Sequence, residues 1–136
     1  MKKILALPLL AAAVLFAGVA GAQNKPVSPP ATASEKIESG ATITINYSQP
    51  SVKGRSIGKN LEPLPGKVWR TGANEATVFQ TDKDITVQGQ PLAAGKYGLF
   101  TLVSDNGEWT VIFNKTWKQW GAFNYKESDD VLRVKA

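Results

Sequence analysis

From Thr32 onward the side chains repeat with a period of two. In Thr42-Ile43-Thr44-Ile45-Asn46-Tyr47, Ile43, Ile45 and Tyr47 fall on one side of an extended chain, with Thr42, Thr44 and Asn46 on the other. That alternation suits a strand with one covered face, and a helix would scatter it. Residues 33–37 read as its hairpin partner, with Ser39-Gly40 in the turn. Further strands are expected at 76–81, 85–88, 96–103, 109–114 and 131–135. Between Ser48 and Ala76 no period holds, so that stretch reads as an irregular loop region. Only Trp117 and Trp120, aromatics three apart, hint at a helical turn. The expected fold is all-β: an antiparallel β-sandwich with Greek-key-like connections.

The sharpest hairpin signal is Asn106-Gly107, because both residues tolerate the positive φ of a two-residue type I′ turn. That turn sets Leu102 opposite Val111 and Phe100 opposite Phe113, with Thr101 facing Ile112 and Val103 facing Thr110. Both faces come out largely apolar, which places this hairpin in the middle of a sheet. Leu92 followed by Gly95 and Tyr97 is the pattern of a tyrosine corner, in which the phenol bonds back to nearby backbone.

Ahead of the strands lie two segments of different character. Lys2 and Lys3 precede an uncharged apolar run, 4–20, and Ala20-Gly21-Ala22 offers small residues for cleavage before Gln23. Residues 1–22 therefore read as a cleavable signal peptide. Residues 23–31, rich in proline and polar groups, read as a disordered linker. Residues 32–136 are expected to form a single domain, large enough to bury a core. No second apolar run is long enough to span a bilayer, so no transmembrane anchor is expected after cleavage. Loss of Lys2 and Lys3 lowers the net charge from +5 to about +3. The remaining charges alternate in sign with no basic stripe, which argues against nucleic acid as a partner.

The chain contains neither cysteine nor histidine. That removes disulfides, Ser-His-Asp and Cys-His catalysis, and the common zinc, haem and iron–sulfur sites. No glycine-rich phosphate loop occurs, and no cofactor or metal site is expected. Carboxylate chemistry, lysine or tyrosine acid–base work and plain binding remain.

Three places could carry such work. Between Gly66 and Thr77 the chain concentrates Lys67, Trp69, Arg70, Asn74 and Glu75. Read functionally, Arg70 and Lys67 meet an anionic group, Trp69 gives a stacking floor, and Asn74 and Glu75 meet hydroxyls. Read structurally, Arg70 pairs with Glu75 to fasten the loop, and Trp69 fills one end of the sandwich. Residues 117–125 hold Trp117, Trp120, Phe123 and Tyr125, which suit a sugar-stacking platform, although large aromatics serve burial first and Trp120 and Phe123 then cap the open end of the core. Asp82, Asp84, Asp105, Asp129 and Asp130 read as solvated turn residues rather than a calcium loop. A carboxylate pair such as Glu75 with Glu127 would be needed for glycosidase chemistry.

Several long runs carry a family resemblance: 43–55, 66–77, Ala94-Gly95-Lys96-Tyr97-Gly98-Leu99-Phe100-Thr101, 109–114 and Trp120-Gly121-Ala122-Phe123-Asn124-Tyr125. Together they closely resemble a bacterial family of exported proteins, domain of unknown function 2911, from about Ala31 to Ala136. The resemblance implies export in a Gram-negative bacterium, to the periplasm or outer surface, and a small β-rich domain. It implies no activity and no agreed catalytic residues. It also implies further strands beyond 131–135, so the sandwich is expected to be incomplete at the C-terminus, with an open sheet edge.

The reading that follows is an exported, non-catalytic binding or structural module. Its partner, a small molecule, a glycan or a protein, would contact Arg55, Lys67, Trp69, Arg70, Asn74 and Glu75. A carbohydrate-binding module using Trp117, Trp120 and Tyr125 is the first alternative. A carboxylate hydrolase with Glu75 as acid or base is the second.

Overall fold

A computed structural model of the chain describes residues 27–136. The expected signal peptide and residues 23–26 of the expected linker lie outside the described residues.

The described chain is built of strands: β1 (Pro30–Lys36), β2 (Thr42–Ser48), β3 (Val68–Trp69), β4 (Thr77–Thr81), β5 (Ile85–Val87), β6 (Gln90–Leu92), β7 (Gly95–Val103), β8 (Trp109–Asn114) and β9 (Asp130–Lys135). Among the described residues the only helical piece is a 3₁₀ turn, Glu127–Asp129. None of these residues belongs to a helix long and apolar enough to cross a membrane. The turn expected at Trp117 to Trp120 is not helical. β1 begins at Pro30, two residues inside the expected linker, because Pro30 and Ala31 already pair with Ser48 and Tyr47. β3 and β6 had no counterpart in the sequence reading.

The main sheet runs β1-β2-β4-β7-β8-β9, with every pairing antiparallel, while β5 and β6 form a separate hairpin. The fold is thus all-β and sandwich-like, not closed into a barrel. Its path is a meander, in place of the Greek-key-like connections expected from the tyrosine motif. The motif itself forms: Tyr97 donates through Oη to the Ala93 carbonyl at 2.6 Å. A bond spanning four residues fixes a corner without dictating which strand comes next.

Register and burial divide the core between the two faces of the sheet. On one face Leu92, Tyr97, Phe113, Leu132 and Val134 pack together, with Phe79, Leu99 and Val111 beside them. The β5–β6 hairpin supplies Ile85, Val87 and Leu92, forming the second layer over this face. Phe79 meets Phe113 edge-on, with centroids 5.0 Å apart. On the opposite face Phe100, Ile112 and Ala76 are covered by Val68, Leu102, Ala122 and Tyr125.

The β7–β8 hairpin is central, as its apolar faces imply, but its register is shifted by one residue. Phe100 pairs with Ile112, Leu102 with Thr110, Thr101 with Val111 and Val103 with Trp109. The turn is three residues long rather than two. Ser104 N–H donates to the Glu108 carbonyl at 2.9 Å, and Gly107, at φ +84°, takes the single left-handed position. The Ser104 hydroxyl bonds the Asn106 side chain and so stabilises the longer loop.

Candidate functional site

One edge of β7 is lined by two strands laid end to end. Trp69 in β3 pairs with Thr101, and Thr77 in β4 pairs with Leu99. Those two positions are neighbours along one side of β7, so residues 70–76 must loop out between them. Thr77 N–H donates to the Arg70 carbonyl at 3.1 Å and closes the loop.

The loop is held under backbone strain. Thr71 and Asn74 both sit at φ +59°, and for a β-branched threonine that is rare. Thr71 Oγ1 lies 3.2 Å from Thr101 Oγ1, and its carbonyl accepts from Thr77 Oγ1 at 2.9 Å. Gly72 lies against β2: a Cβ there would stand 3.1 Å from the Ser48 carbonyl oxygen and 3.0 Å from Thr77 Oγ1. The next amide, Ala73 N–H, donates to that same Ser48 carbonyl at 3.0 Å. Ala76 N–H donates to Gln119 and Gly121 N–H donates to Asn74, at 2.9 and 3.0 Å. The loop is therefore stitched to the end of β2 on one side and to residues 119–121 on the other.

Against this loop, facing residues 50–62, lies a cavity of about 420 Å³. Arg55, Trp69, Arg70 and Asn74 line it. Lys67 and Glu75 do not. Lys67 is exposed in the turn before β3. Glu75 is exposed beside a smaller hollow of about 170 Å³ next to β1 and β2. The pairing of Arg70 with Glu75 expected under the structural reading does not form. Asn74 turns the chain through the left-handed region, and Glu75 then bridges by backbone to Trp120. Arg70 faces Glu62 instead, Nη1 to Oε2 at 3.7 Å. Glu62 also lines the cavity and was missed from the sequence. Its one signal is that it is the only acidic residue between Glu38 and Glu75.

Most polar side chains of the wall already serve the backbone. Arg55 donates from Nε to the Val52 carbonyl and from Nη2 to the Ser51 carbonyl, at 3.1 and 2.6 Å. The Trp69 indole N–H donates to the Gly72 carbonyl at 3.1 Å. Asn74 Nδ2 reaches the Ser28 carbonyl at 3.3 Å. Asn60 Oδ1 accepts from Ser56 N–H at 2.7 Å. Arg70 differs: its Nε is shielded from water yet has no hydrogen-bond partner among the described residues. A buried donor left so costs about 1–3 kcal/mol.

The aromatic segment divides its side chains between different tasks. Trp117 is half-buried, with the Lys96 ammonium 4.8 Å from its ring centroid. Tyr125 turns inward, its ring 5.0 Å from that of Phe100. Its Oη donates to Asp130 Oδ2 at 2.6 Å and accepts from Arg133 Nη2 at 2.9 Å. Burial and the bond to Asp130 push the Tyr125 phenol up to about 12, although the Arg133 guanidinium opposes them. Trp120 and Phe123, expected as caps of the core, are 59% and 84% exposed. Ala122 and Tyr125 cover that part of the core instead. Trp120 is thus the one indole of the supposed platform that stands free, since Trp117 and Tyr125 are engaged elsewhere.

The acidic turn residues do local work. Asp82 accepts from Thr42 N–H at 2.7 Å and Asp84 from Ala94 N–H at 2.8 Å. Glu127, in the 3₁₀ turn, lies 3.5 Å from Arg133, while Glu75 belongs to the loop before β4. Among the described residues no three His, Cys, Asp or Glu side chains converge to hold a metal.

Residues 28–136 match the family model described as "Protein of unknown function (DUF2911)". No curated protein and no solved structure matches the chain.

Proposed function

The chain belongs to the DUF2911 family, and we propose that it is an exported, non-catalytic binding module that holds a small organic molecule between loop 70–76 and residues 50–62. The observation that carries this reading is the Arg70 side chain. It lines a cavity of ligand size, its guanidinium meets Glu62 only at 3.7 Å, and the loop that positions it is strained at Thr71 and Asn74. Strained non-glycine backbone persists where surrounding structure enforces it, and such places cluster at ligand sites. A volume of about 420 Å³ falls within the range of small-molecule pockets. Arg55, Asn60, Asn74 and the Trp69 indole, fixed by bonds to backbone, form a preorganised wall.

Binding without catalysis accords with the groups present. Among the described residues Glu62 is the one carboxylate on the cavity wall, and it stands beside a cation. Glycoside hydrolysis requires two carboxyl groups flanking the scissile bond.

A thermal-shift screen of the purified protein against amino acids, organic anions, short peptides and glycans tests the proposal. A compound that raises the melting temperature of the wild type, and fails to do so for Arg70→Met, is the expected result. Shifts that survive Arg70→Met but vanish in Trp120→Ala would favour the second reading, a glycan or protein surface met by the exposed Trp120 and Phe123.

A further inference from the structure

Among the described residues three ionic side chains line the cavity: Arg55 is turned to the Val52 and Ser51 carbonyls, while Arg70 and Glu62, of opposite sign, make no hydrogen bond to the rest of the wall. Arg70 and Glu62 face each other at 3.7 Å, beyond hydrogen-bond length, with side chains 22% and 38% exposed. Neither fully satisfies the other. Both line the same cavity. The rest of the wall is mainly apolar: Pro50, Leu61 and the exposed side chains of Val27, Val52 and Ile57.

We propose that the ligand of this cavity is a free α-amino acid with an apolar side chain, its carboxylate on Arg70 and its ammonium on Glu62. The proposal rests on the cavity being a binding site, and it names the ligand's chemistry. A simple anion would gain from Arg70 and be repelled by Glu62. A simple cation would meet the reverse. A zwitterion complements both charges, and in an α-amino acid the two ionic groups share one carbon, matching two protein charges that are neighbours. The guanidinium suits a planar carboxylate. The apolar side chain then covers Val27, Val52 and Ile57, three large groups otherwise left in water.

Calorimetric titration of the purified protein with L-leucine, 4-methylpentanoate and isopentylamine tests this directly. The second compound lacks the ammonium group and the third lacks the carboxylate. Leucine is expected to bind, and each single-charge analogue to bind at least ~10-fold more weakly, the equivalent of one lost charge-assisted contact. Glu62→Gln should narrow the gap between leucine and 4-methylpentanoate, and Arg70→Met should abolish binding of both, with circular dichroism confirming that the variants fold. Equal binding of leucine and 4-methylpentanoate to the wild type would overturn the proposal. So would a failure of leucine where another compound of the wider screen binds in an Arg70-dependent way, and that result would leave the binding-module reading intact. If no compound binds, both fall.

Discussion

Arg70 Nη1 stands 3.7 Å from Glu62 Oε2, linking the loop after β3 to the irregular segment 50–62 beside the cavity that both residues line. Both side chains remain partly in water, so the pair should add little to stability. Glu62→Gln is expected to change the unfolding free energy by less than about 1 kcal/mol in a urea titration. A loss of several kcal/mol would instead mean that the pair fastens the fold.

Two phenylalanines should behave in opposite ways. Phe100 is fully buried against Ile112 and Ala76, whereas Phe123 is 84% exposed. Phe100→Ala is expected to cost about 3–5 kcal/mol, measured by chemical denaturation. Phe123→Ala should stay within about 0.5 kcal/mol.

Gly98 is needed for a close approach rather than for its backbone angles. A Cβ there would come 2.8 Å from the Phe100 ring and 3.2 Å from the Thr116 carbonyl. Gly98→Ala should push the segment after β8 away from β7 and destabilise by about 1–3 kcal/mol in the same assay.

Tyr125 gives the fold a dependence on alkaline pH. Its pKa is raised from 10.0 to about 12, first by burial and next by the bond to Asp130. The folded state therefore favours the protonated phenol. Its contribution to stability is complete below pH 10 and is lost as the pH rises through about 12. Ultraviolet titration of tyrosinate should show this late phenol, and Asp130→Asn should bring it to lower pH by removing the negative charge that opposes phenolate.

Export should leave a defined end. Expressed in a Gram-negative host, the protein recovered outside the cytosol should begin at Gln23 by intact-mass measurement, with Lys2 and Lys3 gone. Uncleaved protein confined to the cytosol would contradict the export proposal.

How much of this was legible depends on what each segment's pattern specifies. The alternation at 42–47 identifies β2 because Ile43, Ile45 and Tyr47 share one face of an extended chain, a pattern that a helix would scatter. In β7 and β8 both faces are apolar, so a shift of one residue produces an equally good pattern. Ser104 and Gly107, rather than Asn106-Gly107, then decide between the registers. β6 is three residues long and contains Pro91, too little to carry a period. Trp69, Arg70 and Asn74 stand out as a polar cluster between glycines, and all three do line the cavity. Glu62 does not stand out in that way. It meets Arg70 through a loop with no period, and spacing along such a chain does not reveal a spatial partner. Glu75, close to Arg70 in sequence, is carried away by the left-handed turn at Asn74.

The four tryptophans offer the most direct test of where a ligand sits, because each indole N–H gives its own resonance. In an NMR titration with L-leucine, the Trp69 indole signal should move while those of Trp117 and Trp120 stay in place. Movement of Trp117 and Trp120 with Trp69 unchanged would contradict a binding site at the loop between β3 and β4.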